Sequence, residues 1–182
     1  MSNNNKGFEQ ELHAEFIKSL HEEKLKTQEE RANYISNKFA FITGLFGLGA
    51  LRIGEIDFHM LLYFIPLVAI GYDLYIRAAD LSIKKMGAFL RSHPKAGTTD
   101  VEKAWEKFSA KNRDKLAHLA TSLFTSILIV ASAAYIYVQK GSDKATLFYV
   151  GYAIWLGLSL LFNGLLWKSH RDQIRKLDKY KK

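Results

Sequence analysis

Asp73 and Asp80 stand seven residues apart in "GYDLYIRAAD", so two turns of helix would place both carboxylates on one face. Paired carboxylates can hold Mg²⁺, but two are too few for an octahedral cation. Each also has a basic neighbour four residues on, Arg77 and Lys84, at helix-pairing distance. Asp73 is the foremost ionisable group near an apolar stretch, where such groups are functional candidates by default. The competing use is an ion pair with Arg77 at a membrane boundary.

His59 lies just inside the outer boundary of an apolar stretch and His118 just inside the inner one, where single histidines are more often interfacial than catalytic. Asn163, in "LLFNGLLW", lies deeper, and an amide in hydrocarbon needs a partner on another helix. His13 and His21 are eight residues apart, about 12 Å along a helix, too far to share a metal. The sequence holds no HExxH, Walker loop, GxSxG or EF-hand loop, and it has zero cysteines. No catalytic, metal or cofactor residue is therefore assigned, no cofactor is expected, and the chain does not read as an enzyme. Asp73, His118 and Asn163 are the candidates for lining a polar path or joining helices.

These residues belong to long apolar blocks. Leu116 to Val138 and Ala145 to Trp167 are each 23 residues without Asp, Glu, Lys or Arg. A membrane-crossing helix needs about 20 apolar residues. Mean hydropathy near zero hides this partition, because charge is concentrated between the blocks. The 182 residues read as one all-α, integral-membrane chain with four spans in two hairpins. The first half, 1–92, is an amphipathic helix plus spans at about 34–51 and 58–76. A linker at 93–99 carries Pro94 and Gly97. The second half, 100–182, is a helix, spans at about 116–138 and 145–167, and a basic tail helix.

In the N-terminal helix, Gly7 to Asn37, the residues Phe8, Leu12, Phe16 and Leu20 form an expected apolar stripe. Thr99 and Glu102 have the capping-box spacing. The block Phe39 to Leu51 is short, and extending it back to Tyr34 leaves Lys38 to snorkel to the headgroups. "RIGEID", from Arg52 to Asp57, reads as a tight turn between opposed spans, with Gly54 supplying flexibility. A shallow or re-entrant first hairpin is the alternative. Pro66 predicts a kink in the second span. Small-residue stripes at Ala153, Gly157 and Gly164, and at Thr121, Thr125 and Ser132, suit close helix packing and a homo-oligomer. Gly44 and Gly47 thin the first span, and Trp155, Trp167, Tyr135, Tyr137 and Tyr149 suit interfaces.

Of the 26 Lys and Arg, 23 fall in the two terminal segments and the middle segment, and three in the two short turns. The positive-inside rule then places both termini in the cytoplasm. The net charge of +8 abuts span ends, where it attracts anionic lipid rather than nucleic acid. The expected partners are the lipid bilayer, further copies of the chain and a soluble protein on the helical arms.

"HEEKLKTQEERANYISNKFAFITGLFGLG", "ADLSIKKMGAFLR" and "AWEKF" together resemble small bacterial multi-span membrane proteins over about half the chain. Some of these act as membrane effectors in anti-phage and nucleotide-signal systems. The resemblance implies an inner-membrane effector or channel-like oligomer, and it transfers no catalytic residue. A membrane anchor for a soluble partner and a transporter subunit are the other readings.

Overall fold

The computed structural model of the chain describes residues 2–53, 56–93, 96, 99–112, 115–140 and 146–179. It is all-helical apart from one minimal ladder. Helix α1 spans Ser2–Gly49, α2 Ile65–Ser92, α3 Asp100–Lys111, α4 Lys115–Lys140 and α5 Thr146–Lys179. Strands β1 (Arg52–Ile53) and β2 (Ile56–Asp57) pair antiparallel, Arg52 opposite Asp57. The charged segment after α1 is thus a reversal, while Gly54 itself lies outside the described residues. Pro94, Gly97 and the turn at 141–145 lie outside them too.

Among the described residues three helices, not the expected four, are long and apolar enough to cross a membrane: His59–Ser92, Ala120–Val138 and Phe148–Leu177. The block expected to be a first span is the end of α1, a 48-residue helix whose earlier turns are rich in charge.

The chain divides into two compact units, each drawing on both halves of the sequence. One holds Met1–Ala32, Arg77–Arg113 and Arg171–Lys182; the other holds Asn33–Ile76 and Asp114–His170.

In the second unit the core joins Ile42 of α1, Leu62, Ile65 and Ala69, and Ile136 of α4, all buried. Gly49 is required there, since a Cβ would lie 2.6 Å from the Leu62 side chain. Pro66 does not kink a helix interior. It is the second residue of α2, preceded by a 3₁₀ segment, His59–Phe64. In an α-helix the Leu62 carbonyl would need the N–H of residue 66, which proline lacks. The 3₁₀ turn instead gives that carbonyl the Ile65 N–H. His59 opens this segment and is half-buried.

In the first unit α2 buries Ala79, Met86 and Leu90, whose spacings of seven and four put them on one face. The α1 stripe expected at four-residue spacing is not the buried one. Leu12 and Phe16 are exposed, and Phe16 meets Phe89 only edge-on at 6.3 Å. The Phe8 side chain lies outside the described residues. Lys24, Arg31 and Lys38, seven apart, instead occupy the inward face of α1. In this unit Lys24 pairs with Glu106 at 2.5 Å and Arg31 with Asp80 at 2.8 Å. Lys84 also pairs with Asp80, as its four-residue spacing predicts.

The capping box on α3 forms. Thr99 Oγ1 accepts from the Glu102 N–H, and Glu102 Oε2 accepts from the Thr99 N–H at 2.9 Å. The Thr99 N–H bond lowers the Glu102 pKa most, opposed by desolvation and aided by the Thr99 hydroxyl and by His21. A lowered folded value means this stabilisation is present above the ordinary carboxyl range and fades as pH falls through the folded value. Thr99→Ala should cost about 1 kcal/mol and speed amide exchange in the first turn of α3 ahead of the rest. Unchanged exchange there would contradict the cap.

Candidate functional site

The residues with chemistry converge on one turn of α4. Ser122, Thr125 and Ser126 follow helical spacing, and they serve two polar clusters inside the second unit.

The first cluster is a triad. Lys38 Nζ donates to Asp73 Oδ1 at 2.8 Å and to Thr125 Oγ1 at 2.5 Å. The Thr125 hydroxyl donates in turn to Asp73 Oδ2 at 2.5 Å. The Thr121 carbonyl lies farther from that hydroxyl, at 3.1 Å, so the charged acceptor is the stronger draw. Lys38, Asp73 and Thr125 are 1%, 0% and 0% exposed. The Lys38 ammonium also sits 5.7 Å from the centre of the Phe124 ring, which packs on Phe39.

This corrects the sequence reading of Lys38. Its side chain is fully buried against Asp73, where snorkelling would expose it. Asp73 likewise faces inward on the α2 stripe with Ala69 and Ile76, and its partner is Lys38 rather than the expected Arg77. An ion pair pays desolvation on both sides, and inside a low-dielectric core its attraction roughly offsets that cost. The triad therefore fixes which groups face each other more than it adds stability. Removing one member leaves an uncompensated charge.

The second cluster joins α4 to α5. Asn163, 2% exposed, donates from Nδ2 to the Ser122 carbonyl at 3.1 Å and to Ser126 Oγ at 2.9 Å. Ser126 donates to the same Ser122 carbonyl at 3.0 Å. The cross-helix bond expected of an amide in this setting is thus formed. Its orientation is fixed, because turning the amide would set Oδ1 against a carbonyl oxygen. Asn163 Oδ1 consequently has no hydrogen-bond donor among the described residues. A buried acceptor left open costs about 1–3 kcal/mol, and it marks where a water or other donor would be held.

The inward face of α5 continues through Trp155, Ser159 and His170, with Trp155 Nε1 donating to the Tyr63 carbonyl at 3.2 Å. Tyr152 donates to the Ala133 carbonyl at 2.7 Å. Trp155, half-buried, also packs its ring on Tyr63 and Tyr152. Of the small-residue stripes, Thr125 and Ser132 are buried within the chain, whereas Ala153, Gly157 and Gly164 are exposed.

Asp73 and Asn163 thus bond to neighbouring residues of α4 but not to each other. His118 lies in the first turn of α4, seven residues before Thr125 or about 10 Å along the helix. Its side chain lies outside the described residues. Among the described residues no group of three or more His, Asp or Glu could hold a metal.

Sequence reasoning missed Lys38. The available signal was charge periodicity: Lys24, Arg31 and Lys38 repeat every seven residues, as Asp73 and Asp80 do. Comparison with known proteins adds no neighbour. No family model, curated protein or solved structure matches the chain.

Proposed function

We propose that the chain is a four-span protein of the bacterial inner membrane that oligomerises and perturbs that membrane when its helical arms receive a signal. The observation that carries this reading is the buried Lys38–Asp73–Thr125 triad. Charges held among apolar helices mark pathways, relays or switches in membrane proteins. Breaking such a pair strands two charges in an apolar core, so it opens only when a signal brings water or another partner to them. Separating Lys38 from Asp73 would expose two charges beside α4, whose next residue, Ser126, is already bonded to Asn163. The open Asn163 carbonyl then extends the polar surface toward α5. Asp73 and Asn163 line this path, with His118 at its inner end.

Four spans require residues 34–51 to cross, and the pairing of buried Lys38 with Asp73 lowers the cost of carrying that charge into the membrane. Both termini are then cytoplasmic. The cysteine-free chain makes this testable. Leu51→Cys should react with a membrane-impermeant maleimide added outside intact cells, and Leu25→Cys only after permeabilisation. Equal protection of both would make the first hairpin shallow. Some of the small bacterial membrane proteins that the chain resembles act in anti-phage systems, so infection is the signal to test first.

The activity is tested with purified chain in vesicles that hold a potassium diffusion potential. Wild-type chain should dissipate the potential. Vesicles that hold it as well as protein-free ones would overturn the effector reading.

A further inference from the structure

Arg91, in the last turn of α2, is a buried cation in search of an anion. It is 6% exposed, and its Nε has no hydrogen-bond partner among the described residues. None of their carboxylates pairs with it. A guanidinium stays charged when buried, so only an anion can offset its desolvation.

The rest of this face shows the same deficit. Asp80, Lys84, Gly87 and Arg91, at spacings of four, three and four, share one side of α2, and all are buried. Helix α1 brings Lys24 and Arg31 against it. Arg31 and Lys84 both pair with Asp80, and Lys24 pairs with Glu106 of α3. Four cations, Lys24, Arg31, Lys84 and Arg91, thus share two carboxylates. The excess is two positive charges.

One of those carboxylates is borrowed. Seven residues after Asp80, opposite Lys24, α2 carries Gly87 where a further acid would continue the pattern. A Cβ on Gly87 would lie 4.0 Å from Lys24 Nζ and 2.8 Å from Glu106 Oε2, so the bare backbone admits the Glu106 carboxylate. Its Oε1 accepts from Lys24 at 2.5 Å. Helix α3 buries no residue, and Val101, Trp105 and Phe108 are exposed, so little apolar contact opposes the departure of Glu106. Arg91 lies one turn beyond Gly87, about 6 Å along α2. A single phosphate group can bridge two cations at that separation, with a hydrogen bond on each side.

We propose that Lys24, Gly87 and Arg91 form a phosphate site in the helical arms, in which Glu106 is the resident competitor. A phosphate monoester carries about two negative charges, matching the excess, where a carboxylate carries one. The incoming phosphate takes the Lys24 bond from Glu106, meets the Arg91 fork with two parallel N–H bonds, and releases α3. This rests on the reading that the arms receive a signal, and it names the chemistry of that signal.

The test uses full-length chain with Trp155→Phe and Trp167→Phe, in detergent free of phospholipid, which leaves Trp105 on α3 as the reporter. Inorganic pyrophosphate should bind saturably and change Trp105 emission. Arg91→Gln and Lys24→Gln should each weaken binding about tenfold or more, and Glu106→Gln should tighten it about tenfold. Exposed Lys85→Gln should leave it unchanged, and Gly87→Asp, which supplies the acid from α2 itself, should abolish it. Phosphatidic acid as a second probe separates the sources: tighter binding than pyrophosphate assigns a lipid headgroup, weaker binding a soluble phosphate. Absence of saturable binding by either probe overturns the site. So does an affinity unchanged by Glu106→Gln, or a loss with Lys85→Gln equal to that with Arg91→Gln. Leak plays no part in this readout, so failure of the effector reading leaves the result standing.

Discussion

Lys38→Leu should destabilise the protein by about 3–5 kcal/mol, and adding Asp73→Leu should recover most of that loss. The single change strands the Asp73 carboxylate in a site that is 0% exposed, with the Thr125 hydroxyl as its remaining side-chain donor among the described residues. The double change removes both charges and leaves apolar side chains where an ion pair had roughly broken even. Thr125→Val should fall between, costing about 1–2 kcal/mol, because it removes one bond to each charge and keeps the pair. Denaturation in detergent, followed by loss of helical circular dichroism, reads all three. A fully stable Lys38→Leu protein would place Lys38 among the headgroups and dismantle the triad.

Asn163→Leu should leave stability nearly unchanged while cutting vesicle leak by tenfold or more. Two hydrogen bonds to Ser122 and Ser126 are lost, each worth about 0.6 kcal/mol between membrane helices. Against this, the substitution removes an amide whose burial among apolar helices is itself unfavourable, which offsets that loss. Leucine has a similar volume, so packing changes little. Any loss of leak then reports on function and not on folding. Leak equal to wild type in a protein of unchanged stability would remove Asn163 from the path.

The helical class and the second apolar hairpin were legible because unbroken 23-residue blocks have few other outcomes in folding. The Thr99 cap was legible from two residues at fixed spacing, and the partnering of Asn163 from the cost of an orphan amide. The inward face of α1 was not. A four-residue stripe advances 400° per step, so Phe8, Leu12, Phe16 and Leu20 drift around the helix by about 40° each time. A seven-residue repeat of Lys24, Arg31 and Lys38 stays nearly aligned, and it is polar, so hydrophobic periodicity does not detect it. The Pro66 junction was hidden for a different reason: an apolar run does not distinguish a 3₁₀ entry from an α-helix.

Membrane potential in cells inducing the chain tests the effector reading most directly. A voltage-sensitive dye should report depolarisation soon after wild-type induction, and little after induction of Asn163→Leu at equal membrane abundance. Cells that keep a normal potential at high wild-type expression would contradict it.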